Sequence, residues 1–152
     1  MKLKAIAVLT VLISLAGLSL QAQAMDMGKN DMNMNAGGHY IMLQDASEAG
    51  VTARAHLKDI KEAMAKLGMS ATNHFMVMFT DQKSGAQIKG GLVALKITDP
   101  HGKVSEPVHL MPMDGAFGAD ITLPDKGRYQ LEIGTKLQDG QKRKFHFTYT
   151  VK

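Results

Sequence analysis

Three segments of this chain set thioether and imidazole side chains close together. "HFMVM" carries His74, Met76 and Met78, and "HLMPM" carries His109, Met111 and Met113, each set at intervals of two. "MDMGKNDMNM" carries Met25, Met27, Met32 and Met34, with His39 and Met42 shortly after it. The chain has 12 methionines and 6 histidines but no cysteine, so a soft-metal site here must use methionine sulfur and histidine nitrogen. That donor pair selects Cu(I) ahead of other common metals, because Cu(I) is soft and tolerates few ligands. Zn(II) would want cysteine or more histidine, and Ca(II) or Mg(II) would want clustered oxygen ligands. A blue-copper electron-transfer site is excluded for want of a cysteine thiolate.

Packing is the competing explanation for the first two segments. Methionine fills irregular gaps in cores, so a strand covered on both faces would use Met76 and Met78 in that way. The third segment resists this reading, since no other large apolar residue stands among its four methionines. Catalytic signatures are missing. No nucleophile elbow, zinc-protease motif, phosphate-cradling loop or EF-hand occurs, and "DQKSG" places Lys83 where a calcium ligand should stand. The four glutamates, at 48, 62, 106 and 132, are too scattered for paired-carboxylate work. The residues therefore predict a protein that is not an enzyme.

The elements that must position these side chains begin after a secretory signal. Lys2 and Lys4 precede an apolar run from Ala5 to Leu20, and Ala22, Gln23 and Ala24 supply a peptidase site, so cleavage after Ala24 is expected. The run is shorter than the ~20 residues of a membrane span, and no span is expected once the signal is removed. Export and the absence of cysteine together predict a periplasmic protein stabilised by packing rather than disulfides. Residues 1–24 carry two basic and no acidic residues, so without them the net charge falls from +4 to +2, too little to suggest nucleic acid as a partner.

Residues 25–38 lack aromatic and β-branched side chains and are expected to form a flexible, Met-rich tail. Residues 39–152 are expected to form a single domain. Period-2 segments there alternate with Gly, Pro and Asp turns: 39–43 and 51–57, which can pair as a hairpin, then 74–80, 91–98, 103–111, 116–123, 127–137 and 142–151. This pattern predicts an all-β fold, an immunoglobulin-like antiparallel β-sandwich of seven or eight strands. "LKDIKEAMAKLG" alone shows a helical period, through Leu57, Ile60, Met64 and Leu67, and predicts one short helix at about 58–67. Alternation places Phe75, Val77 and Phe79 in the core, with His74, Met76 and Met78 about 7 Å apart in succession on the opposite face. It likewise turns Tyr129, Leu131, Ile133, Phe145, Phe147, Tyr149 and Val151 inward. Lys142, Arg143 and Lys144 are expected to guard an edge against pairing. Pro112 and Gly115 are expected to gather His109, Met111 and Met113 at a sheet edge.

From about Asn73 to Lys152 the order of segments resembles the YtkA-like and FixH-like group of small exported β-sandwich domains. The likeness is carried by "HFMVMFTDQKSG", the "DPHGK" turn, the "HLMPMDG" loop and "GRY" opening a strand. It implies the sandwich fold, an association with copper handling or with respiratory oxidases, and a metal position at His109, Met111 and Met113. A second exported copper-chaperone family shares the His-x-Met pair but places a methionine 22 residues before that histidine, where this chain has Gln87.

The expected function is thus a periplasmic copper-binding protein, a Cu(I) chaperone or scavenger. The methionines of 25–34 would capture the ion and hold it near the folded site, at an effective concentration of order mM, for delivery to a copper-receiving envelope protein. A non-catalytic assembly module, for example in oxidase maturation, is the alternative, because methionine surfaces also suit adaptable protein recognition.

Overall fold

The computed structural model describes residues 39–152, and the expected signal and Met-rich tail lie outside them. Eleven strand segments and one helix follow in order: β1 (Tyr40–Met42), β2 (Ala46–Glu48), β3 (Val51–Asp59), α1 (Lys61–Lys66), β4 (Asn73–Asp81), β5 (Gln87–Ile88), β6 (Gly91–Thr98), β7 (Val108–His109), β8 (Met111–Met113), β9 (Ala116–Ile121), β10 (Gly127–Leu137) and β11 (Lys142–Val151). One sheet runs β1-β3-β4-β9-β8, with β2 paired to β3 beyond the end of β1 and β5 paired to β4 beyond the end of β9. The other runs β11-β10-β6-β7. All pairings are antiparallel.

The order β3-β4-β9-β8 against β6-β10-β11 is the ABED and CFG arrangement of an immunoglobulin-type sandwich, with short strands added. A tyrosine corner accompanies it. Tyr129, near the start of β10, accepts from the Asp125 backbone N–H at 2.9 Å and donates to the Asp125 carbonyl at 3.0 Å. Burial raises the phenol pKa above its ordinary value. The all-β sandwich expectation holds, and the strands beyond the seven of that arrangement are the short segments β1, β2, β5 and β7.

Alternation builds the core. Asn73, Phe75, Val77 and Phe79 of β4 are buried while the residues between them are half-buried on the other side. Leu131, Ile133, Phe145 and Phe147 fill the same space from the opposite sheet. Phe79 joins the two sheets: its ring packs on Phe145 of β11 at 5.4 Å between centroids and on Phe117 of β9 at 5.8 Å. Such aromatic pairs contribute about 0.5–1.5 kcal/mol each beyond area burial. Aspartate caps several turns: Asp81 Oδ1 accepts from the Ser84 backbone N–H at 2.7 Å, and Asp99 Oδ1 from that of Lys103 at 2.8 Å.

The predicted short helix forms, with narrower bounds than 58–67. Strand β3 runs on to Asp59, Leu57 lies fully buried within it, and only Lys61–Lys66 are helical, with no buried residue among them. Leu57 satisfies a period of two with Val51, Ala53 and Ala55 as well as a period of three and four with Ile60. The nine-residue register with β4 decides between them. Leu67, expected on the apolar helical face, is 71 % exposed.

Candidate metal-binding face

The outer face of the five-lane sheet collects the sulfur and imidazole groups. Because β4 buries its odd-numbered residues, His74, Met76 and Met78 emerge on the other side. Strand β3 buries Val51, Ala53, Ala55 and Leu57, which brings His56 out onto the same face. Registers then align neighbours. Met42 lies opposite His56, His56 opposite Met76, Met76 opposite Gly118, and Gly118 opposite Met111. One row perpendicular to the strands thus reads Met, His, Met, Gly, Met across five adjacent strands. Met111 and Met113 on the edge strand β8 are 64 % and 42 % exposed.

Gly118 is where two donors meet. A Cβ at this position would stand 3.1 Å from Met113 Sδ and 3.2 Å from His74 Nε2, so both atoms lie over the bare glycine backbone. The His74 ring is fixed from behind. Its Nδ1 is 2.6 Å from Asp120 Oδ1, two residues along β9. A carboxylate only accepts, so the proton of this hydrogen bond sits on Nδ1, and whenever the ring is neutral its lone pair is on Nε2, the nitrogen over Gly118. Metal-ligating histidines have this arrangement, in which a carboxylate sets the tautomer and raises the basicity of the ligating nitrogen. Among the described residues no hydrogen-bond partner occupies Nε2.

His56 stands nearby and is half-buried. Burial first, and His74 second, hold its imidazole below the ordinary histidine value, which favours the neutral ring that can ligate. The Tyr40 ring meets it edge-on at 5.4 Å between centroids. Among the described residues no group of three or more His, Asp or Glu side chains converges.

The other expected ligands lie apart. "HLMPM" divides between the sheets: His109 pairs with Ala94 in the four-stranded sheet, Leu110 is buried at the crossing, and Met111 and Met113 pair with β9 in the other sheet. His109 therefore does not join the two methionines at one edge, and instead lines a surface depression with Leu92, Ala94 and Gly134. Just before β1, His39 has the opposite parity to Tyr40 and Met42 and lines a cavity beside α1. Met78 shares the face with Met76, opposite Arg54. Met25, Met27, Met32 and Met34 lie outside the described residues.

Sequence reasoning missed His56, Gly118 and Asp120. The alternation of "VTARAHL" holds the signal for the first, since placing its small and aliphatic residues inside turns His56 outward. For the other two, the alternation of "AFGADI" shows that they share a face, but only the register with β4 brings them to His74. Comparison with known proteins finds no matching family model, no similar curated protein and no similar solved structure.

Proposed function

We propose that this protein is an exported Cu(I) carrier, a periplasmic chaperone or scavenger that binds the ion through methionine and histidine and passes it on unchanged. One observation carries the reading: His74 Nε2 and Met113 Sδ converge over Gly118 while Asp120 holds the other imidazole nitrogen. An imidazole nitrogen and a thioether, reinforced by the neighbouring Met76 and Met111, make a soft donor set that suits a monovalent soft ion. Met111 and Met113 lie on an exposed edge strand, where an incoming acceptor can displace one thioether at a time. Four further methionines at 25–34 are covalently attached to the same domain and add capture ligands. The reading agrees with the copper handling that the YtkA-like and FixH-like resemblance implies.

Anaerobic competition against a chromogenic Cu(I) chelator tests it. Dissociation constants tighter than micromolar are expected, with at least a tenfold loss when Met76, Met78, Met111 and Met113 are all changed to leucine. Binding weaker than micromolar, or unchanged in that variant, overturns the proposal.

A second reading has an observation of its own. Met42, Met111 and Met113, all well exposed, stand on one sheet face with Met76 and Met78, and such a surface suits docking to another envelope protein. Affinity capture in the presence of a copper chelator separates the two. A specific partner retained without copper favours the assembly module.

A further inference from the structure

The transverse row contains more donors than the His74 and Met113 pair uses. Met42, His56 and Met76 occupy three adjacent strands in direct register, with Met42 opposite His56 and His56 opposite Met76. Directly opposed side chains on one sheet face have Cβ atoms about 4.5–5.5 Å apart. Side chains as long as methionine and histidine can therefore turn their terminal atoms toward a common point above the central residue. His56 is that central residue, and the edge-on Tyr40 ring packs against it. Met42, on the short edge strand β1, is 59 % exposed and free to swing. Across the sheet the order becomes edge thioether, imidazole, central thioether, bare glycine and edge thioether, with His74 and Met113 leaning over the glycine.

We propose that Met42, His56 and Met76 form a second Cu(I) position beside the one at His74 and Met113. The two positions share the face and meet at Met76, which is opposed to His56 on one side and to Gly118 on the other. Met76 can therefore belong to either ligand set, and an ion can cross between positions by exchanging one thioether without leaving the protein. Each half of the face has its own imidazole and its own edge methionine, so it can be loaded or unloaded from its own sheet edge. No redox step is involved, and the ion moves as Cu(I).

This inference rests on the Cu(I) reading above, and the experiment separates the two. The full chain is titrated anaerobically with Cu(I) while the imidazole and methionine methyl signals are followed by NMR. The Cu(I):protein ratio at saturation is measured in parallel by chelator competition. Two sets of shifts are expected, one from His74 and Met113 and one from His56 and Met42, with Met76 responding to both. His56→Ala should lower the saturating ratio by one ion and silence the second set while the first remains. Met42→Leu, on an exposed edge, repeats the test without touching the sheet interior and should weaken the second position by about tenfold. Shifts confined to His74 and Met113 overturn the second position and leave the function standing. All five residues shifting together with a single equivalent also overturn it, since one ion then takes the whole row. If none of them shifts, both readings fail.

Discussion

His74 and Asp120 face each other across the β4 and β9 pairing, and the imidazole Nδ1–H donates to Asp120 Oδ1 at 2.6 Å. The bond does little for stability, since Asp120 is 40 % exposed at its side chain, but it determines which nitrogen faces Met113. Removing the carboxylate in Asp120→Ala frees the ring to rotate and to change tautomer. Loss of such an outer partner typically costs about 10–100-fold in metal affinity. That loss is expected in chelator competition with Cu(I), while Asp120→Asn, which can still accept through its amide oxygen, should lose less. An unchanged affinity in Asp120→Ala would show that His74 does not ligate through Nε2.

Gly118 leaves the space in which those ligands meet. An alanine Cβ there would lie 3.0 Å from the Phe75 carbonyl oxygen, 3.1 Å from Met113 Sδ and 3.2 Å from His74 Nε2. The carbonyl belongs to a paired strand and yields little, so the flexible side chains must give way. Gly118→Ala is therefore expected to move His74 and Met113 apart and lower Cu(I) affinity at least tenfold, with a smaller effect on the urea midpoint. Equal loss of folding and binding would mark the glycine as a packing requirement alone.

Much of this architecture is legible in the chain. Alternation assigns the inner faces of β4, β10 and β11 through Phe75, Val77, Phe79, Leu131, Ile133, Phe145 and Phe147, because burial on one face leaves little freedom of register. The bounds of β6, β10 and β11 follow from the Gly, Pro and Asp turns beside them. The helix is shorter than expected because Leu57 fits both the period of two set by Val51, Ala53 and Ala55 and the helical spacing to Ile60, and only pairing with β4 decides for the strand. "HLMPM" misled for a different reason. Its spacing of two suits a single strand, yet Leu110 plugs the core at a crossing between sheets, and this sends His109 one way and Met111 the other. His74 and Met113 are 39 positions apart in the chain, so their meeting over Gly118 depends on a strand order that local patterning does not contain.

Sulfur can be separated from bulk at the edge strand. Met111 and Met113 are exposed, so replacing both with leucine retains apolar volume and should change stability by no more than about 0.5 kcal/mol, as is usual for surface positions. Cu(I) affinity should fall at least tenfold, because leucine offers no donor. A docking surface responds differently: leucine conserves its apolar character, so retention of a protein partner by the double variant together with unchanged copper binding would favour the assembly reading.

Acid stability should report a different pair, Arg143 and Asp139, at the turn between β10 and β11. Expected only to guard an edge, Arg143 instead has a buried side chain that donates from Nη2 to Asp139 Oδ2 at 2.6 Å, from Nη1 to Asp139 Oδ1 at 3.1 Å and from Nε to the Ala49 carbonyl at 3.2 Å. The hydrogen bonds from Arg143 hold the Asp139 carboxyl below its ordinary value of 3.8. A carboxyl depressed in the folded state contributes stability that is fully present above its unfolded pKa and is lost as pH falls through the folded value. Thermal midpoints should therefore decline on acidification below about pH 4, in part through this pair. Asp139→Asn should lower the midpoint at pH 7, where the arginine loses its counter-charge, and should flatten the decline on acidification below about pH 4. Parallel pH profiles for the wild type and the variant would show that the pair contributes nothing to acid stability. Copper binding at pH 7 should be the same in both, since Asp139 and Arg143 lie at the β10–β11 hairpin of the other sheet from His74 and Met113.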